Sequence, residues 1–498
     1  MAQDSNKLPE TNYLLKNINN ALFIDTDGNV VMRTSTDVGN VTISSVNVTN
    51  VGINSLGNVD ISGTELPVTV VGNVNVTQGT DPWVVSGNVT ATIPSGSEVQ
   101  ANFAATNLDA FGRLRISNPY TLFDTKSMYY DHHQFATNKV SAGNVAYSAN
   151  SSTYSMTVTG SGDAIYRETY RTFSYQPGKS LLVLNTFSGN TATAGLTQRV
   201  GYFNDENGIF FEVDGTDINM VIRSSSAGSL THERIEQASW NGDRLDGLGG
   251  ANNPSGHTLH VDRAQIFWSD IEWLGVGSVR VGFVINGAFI VCHTFHHANQ
   301  SGNTTTYMGT ANLPCRYELI STGPAATMTQ ICSTVISEGG YIMDGRVSSI
   351  GHNFATPIDL SNDGSYVPLL SIRLKSTMPD AIIIPKTYSI SVGSNDIYAW
   401  KLYRRAITSG GTWTDGGSNT AVEYNLAPTA LVSGDLVDEG YIRSSNQSVS
   451  SPQNESLIFE NQLFRDPFTN TRYEFVLMAA TDGTNVDALA SIQWIDVS

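Results

Sequence analysis

Cysteine is nearly absent: three in 498 residues, Cys292, Cys315 and Cys332, odd in number and far apart. No CxxC pair or zinc-type spacing occurs, which excludes a disulfide scaffold and a thiolate metal centre. Charge is scarce too, at 14% of residues, against about 25% in ordinary domains. What there is leans one way, with 27 basic residues against 45 acidic ones and a formal charge of −18. No basic stripe is left to track a phosphate backbone, so no nucleic-acid partner is expected. The nearest run, Lys401-Leu402-Tyr403-Arg404-Arg405, is too short to serve. No apolar stretch reaches the roughly eighteen residues of a membrane span. The opening MAQDSNKLPETNYLLKN lacks the basic start and apolar middle of a secretory signal. The expectation is a chain made in a cytoplasm and without membrane insertion.

Strong helix formers are also thin, whereas Gly, Asn, Ser, Thr, Val and Ile crowd the sequence. That is the composition of strands and turns. A hydrophobic content of 40% is enough for packed cores. Four organisational blocks follow. Residues 1–37 read as an attachment segment, with Leu14, Ile18 and Leu22 spaced for a short helix over Leu8–Leu22 and DTDGN (25–29) as a turn. Residues 38–100 carry a repeat: VGNVTIS (38–44), LGNVDIS (56–62), VGNVNVT (71–77) and SGNVTAT (86–92). Each copy is a Gly-Asn turn and a short strand with one apolar edge, such as Val41 with Ile43. Such an edge is too narrow to bury itself, so several copies of the chain are expected to close it as a trimeric stalk or collar; an ordinary β-sandwich with regular hairpins is the alternative.

Residues 101–355 read as a large β domain. Its clearest element is VRVGFVINGAFIVCHTF, a hairpin with Asn286-Gly287 at the tip and Val279, Val281, Phe283 and Ile285 on one face. Residues 356–498 form a second β unit that ends on an apolar strand. The fold expected is all-β: an N-terminal β-repeat stalk followed by two β-sandwich domains of jelly-roll or lectin-like type.

GTDPWVVSGNVT, NLDAFGRLRISNPYTLFDTK (107–126), QRVGYFNDENGIFFEVDG (198–215) and WLGVGSVRVGFVINGAFIVCHTFHHAN (273–299) are spread over residues 68–320. This region resembles virion structural proteins of tailed bacteriophages, especially tail-fibre and appendage proteins. The resemblance implies a structural component located in the virion and held to other virion proteins through its N-terminal segment. A trimeric tail fibre or spike adhering to a host surface is the main expectation. A capsid decoration or head fibre, a baseplate or neck component, and a glycan-degrading tailspike are the alternatives.

Linear motifs for chemistry are missing. There is no GxSxG elbow, no P-loop and no HExxH. His257 with His260, and His293 with His296 and His297, lack a complete metal-ligand pattern. The acid pairs Asp205-Glu206, Asp214/Asp217 and Asp243/Asp246 sit beside Gly or Asn, as turn residues do. The chain is therefore expected not to be an enzyme and to need no cofactor or metal. If a host cell-surface glycan is bound, two loops offer the chemistry. One supplies Tyr202, Asn204, Asp205 and Asn207, the other Trp240, Asn241 and Asp243. Each mixes an aromatic face for stacking with side chains that bond hydroxyls.

Overall fold

The computed structural model describes residues 22–24, 30–32, 108, 118–131, 133–360, 364–393, 396–443, 449–452, 461–483 and 486–498. The helix read over Leu8–Leu22 lies outside them except for Leu22, which is a strand residue, and the turn at 25–29 and the repeat of 38–100 lie outside them altogether. Of the lead-in, Leu22–Ile24 and Val30–Met32 are described as an antiparallel strand pair. Among the described residues the fold is all-β, with a short 3-10 turn at Gln237–Ser239.

From Tyr120 to Ser337 the chain builds a sandwich of two antiparallel sheets. Seven strands form one sheet. In spatial order they are Thr231–Glu236, Asp217–Ser224, Gly208–Asp214, Leu196–Phe203, Cys315–Ser321, Ala164–Thr169 and Phe135–Val140. The opposing sheet holds the hairpin of Val279–Ile285 and Ala288–Phe295, paired as its alternation predicts. Asn286 and Gly287 take the positive φ, 53° and 79°, that this tight turn demands. Val279, Val281 and Phe283 are buried, and Ile285 packs against the same core. Period-two alternation places these residues inward together, which is why the strand folds this way up.

The two sheets meet through aromatic rings. Phe211 of the seven-stranded sheet lies 5.2 Å from Phe283 and 6.1 Å from Phe267, both on the opposing sheet. Such contacts contribute about 1 kcal/mol each beyond burial alone. Cys292 and Cys315 are buried in this core, and burial pushes both thiols up.

A second sandwich follows, with a five-stranded and a six-stranded sheet around its own core of Leu369, Ile383, Leu402, Leu477 and Trp494. Its last strand, Val486–Asp496, pairs with Arg346–Gly351 on one side and Ile383–Val392 on the other, so the apolar chain end is held within a sheet. Arg346–Gly351 thus belongs to this second sandwich. The boundary set at 355 from sequence moves to between Ser337 and Arg346. Register with a strand nearly 150 residues away decides it, and local composition carries no sign of that.

Candidate functional site

The two loops chosen from sequence are bound up in the protein's own structure. Tyr202 faces the core, and its hydroxyl donates towards the carbonyls of Phe173 and Ala311 while accepting from the Leu313 amide, at 2.8–3.0 Å. Asn204 accepts from the Glu206 and Asn207 amides, closing the turn. Asn207 is buried and accepts from the Gly309 amide. Only Asp205 stands out, with a side chain 78% exposed that pairs with Arg316 at 2.8 Å. In the other loop Trp240 is buried and its indole N–H donates to Ile235 O. Asn241 bonds the backbone of Thr294 in both directions. The Asp243 carboxylate, also buried, ties Leu245, Asn253 and Ser255 together. Trp240 was expected as an exposed stacking face. It is core because the turn brings Ile235 O within reach of the one polar atom that would otherwise hold the ring at the surface.

The seven-stranded sheet has a second face, turned away from the sandwich core. Alternation sends Arg199 and Phe203 to it from one strand, Phe210 and Glu212 from the next, and Arg316 and Glu318 from a third. The paired registers set Glu212, Arg199 and Glu318 in one cross-strand row, and Arg316 with Glu168 in the next. Charges alternate along it. Arg199 reaches Glu212 at 2.7 Å and Glu318 at 2.9 Å. Arg234 pairs with the other oxygen of Glu212 at 2.7 Å. Arg316 meets Glu318, Glu168 and Asp205 at 2.7–2.8 Å. Phe203 and Phe210 lie among these groups with centroids 4.5 Å apart, under the guanidinium of Arg223. Gly201 makes room for this pair, since a Cβ there would sit 2.8 Å from that of Phe210.

The environment splits the carboxyls. Burial holds Glu168 up at about 7, against the pull of Arg316. Burial also works upward on Glu212, but Arg234 and Arg199 outweigh it and hold the group below the usual range. Sequence reading missed this face because its members come from different strands.

A cleft opens where the two sandwiches meet. His133, Gln134, Tyr170 and Arg171 line it from the first, and Arg404, Arg405, Asp435 and Phe464 from the second; it encloses about 280 Å3, open mouth included. Tyr170 and Phe464 stand 5.4 Å apart, backed by Tyr473. The hairpin-like segment from Phe464 to Tyr473 also lays Phe468 over Arg316 and beside Tyr166. Arg465 anchors it by a two-pronged pair with Asp380, at 2.9 and 3.0 Å. Arg404 donates to Nε2 of His133 at 2.9 Å, which makes that nitrogen an acceptor and the ring neutral. Among the described residues no three His, Cys, Asp or Glu side chains converge as metal ligands, and no helix is long and apolar enough to cross a membrane.

No family model and no curated protein matches this sequence. Among solved structures, the chain is similar to a β-1,3-glucanase from Mycobacterium marinum, with 11% identity and a TM-score of 0.29 over 43% of this chain and 98% of that one. A glycoside hydrolase family 16 protein of a Bacteroides ovatus mixed-linkage glucan locus gives 12% identity and 0.28 over 43% and 99%. A putative β-glucanase from Mycobacterium abscessus gives 11% and 0.31 over 43% and 100%. At these scores the activities belong to those proteins. The expectation that this chain is not an enzyme is nonetheless corrected. Its own sheet gathers carboxyls that no linear motif announces.

Proposed function

We propose that the chain is the surface-recognition subunit of a phage appendage and that it binds a glycan in the cleft between its sandwiches. One observation carries this reading: Tyr170 and Phe464 lie together, 5.4 Å apart, beside a dense set of hydrogen-bonding side chains at the open mouth of the cleft, whose enclosed part holds little more than a water. The virion setting, and attachment to other virion proteins through residues 1–37, rest on the resemblance of residues 68–320 to appendage proteins. Trimerisation rests on the narrow apolar edges of residues 38–100. Three weak sites on one shaft would then act together and raise avidity.

Two measurements test this. The full chain titrated with host surface polysaccharide should bind it, and Tyr170→Ala should weaken binding about tenfold, equivalent to ~1.4 kcal/mol of lost stacking. Equal affinity for both proteins sinks the cleft. Light scattering should return the mass of three copies, and a clean mass near the 53.7 kDa of a single chain sinks the trimer.

Glycan cleavage is a second reading. It is favoured by the carboxyls gathered on the second face of the seven-stranded sheet, among which burial holds Glu168 up at about 7. New reducing ends released from the polysaccharide by the wild type and lost in Glu168→Gln would support it; an equal release by both proteins would count against it.

A further inference from the structure

We propose that Asn286 is a site of spontaneous modification, deamidating to aspartate and isoaspartate at the tip of the hairpin formed by Val279–Ile285 and Ala288–Phe295. Three Asn-Gly pairs occur in the chain, at Asn207, Asn241 and Asn286. Glycine after asparagine presents no Cβ to hinder its own backbone nitrogen, so local sequence arms all three alike. The fold separates them. Asn207 is buried, accepts from the Gly309 amide at 2.9 Å and donates to Ser225 Oγ at 3.3 Å. Asn241 is tied to the Thr294 backbone at both ends of its amide, at 2.9 and 2.8 Å. The nitrogen that would attack it, on Gly242, already donates to Cys292 O at 2.9 Å. Both glycines are also hemmed in: a Cβ on Gly208 would collide with Phe203, and one on Gly242 with the Val291 carbonyl. Asn286 differs on each count. Its side chain is exposed and bonds no described residue. A Cβ on Gly287 would meet nothing within 4 Å.

That open space is what the reaction needs. The Gly287 nitrogen gives up its proton and attacks the side-chain carbonyl carbon of Asn286. A new C–N bond forms, the bond from that carbon to the amide nitrogen breaks, and the amide nitrogen leaves as ammonia with the proton. The resulting succinimide ring then takes up one water. Opening at the side-chain carbonyl gives aspartate. Opening at the backbone carbonyl gives isoaspartate, in which the main chain runs through the former side chain. Water is the only co-reactant and nothing is oxidised or reduced. Each event replaces a neutral amide by a carboxylate, on a chain whose formal charge is already −18. Isoaspartate also lengthens a two-residue loop whose dimensions set the turn, so the pair nearest the tip, Ile285 with Ala288, should fray. Val279, Val281 and Phe283 lie further along the strand, buried in the core, and hold the rest of the hairpin.

The test is to hold the folded full chain at mildly alkaline pH and map its peptides by mass spectrometry over time. The peptide with Asn286 should exchange the mass of an amino group for that of a hydroxyl, and isoaspartate should be found at that position. It should react at least about tenfold faster than the peptides with Asn207 and Asn241, because each of those must first open its local structure. In urea the three should react at similar rates, since the following residue is glycine in every case. On anion exchange the wild type should pass with time into a more acidic form. Asn286→Asp suits the same turn, so it should fold, run with that form from the start and shift far less afterwards. Equal rates at the three sites in the folded chain, or a faster reaction at Asn207 or Asn241, overturns the inference. So does an Asn286 that stays intact in the folded chain while it reacts in urea. The same tenfold lead in urea would assign the reactivity to local sequence and would overturn the role given to the fold.

Discussion

Arg316→Ala should lower the stability of the first sandwich by about 3–5 kcal/mol, because it leaves buried carboxyls without their counter-charge. The Arg316 side chain is 5% exposed, and those of Glu168 and Glu318 are 6% and 2% exposed. Water cannot take over what the guanidinium supplies. Glu318 would keep Arg199, but Glu168 would lose the strongest pull towards its ionised form. Three aromatic contacts go as well, with Tyr166, Phe203 and Phe468, and the last of these joins the two sandwiches. Lysine is a poor substitute, since one compact ammonium cannot serve Glu168, Glu318 and Asp205 at once. Urea unfolding of wild type, Arg316→Ala and Arg316→Lys checks this. The pairs are buried, so the loss should persist at high salt. A cost below about 1 kcal/mol, or one that salt abolishes, would show the row to behave as an ordinary surface array.

Local patterns made the fold class legible. Alternation with Asn286-Gly287 located the hairpin, and Gly and Asn punctuation told strands from turns throughout the two sandwiches. The site was not legible, for a physical reason. Glu168, Glu212 and Glu318 lie on three strands separated by long stretches of chain, and only the cross-strand register turns them to one face. A shift of one residue in any pairing would bury them in the core or scatter them. The cleft is similar: His133 and Arg404 are 271 positions apart and meet through a bulge that no composition rule announces. Loop chemistry misled in the opposite direction. Tyr202, Asn207, Trp240 and Asp243 have the residue types of a sugar site, yet the same groups suit the closing of turns over a core, and that is where their bonds go.

Stability should also report the unusual state of Glu168. Its folded value is raised to about 7 from an ordinary 4.5, chiefly by burial. Below pH 4.5 the group is protonated folded or unfolded, and its contribution is fully present. Between pH 4.5 and 7 the unfolded chain releases the proton while the folded chain keeps it, so folding becomes steadily less favourable. Above about 7 both states are ionised and the loss is complete. A shift of this size amounts to on the order of 3 kcal/mol. Glu168→Gln keeps the shape and cannot ionise, so its difference from wild type isolates this one group from every other titration. The two proteins should unfold alike near pH 4.5. The variant should then gain on the wild type through pH 5, 6 and 7, by several degrees in melting temperature, and hold its lead at pH 8. The opposite trend, with wild type gaining as pH rises, would mean that Arg316 wins over burial and that Glu168 is an ordinary paired carboxylate. Parallel curves would mean that water reaches the group. Either result would also remove the proton that glycan cleavage on this face would use.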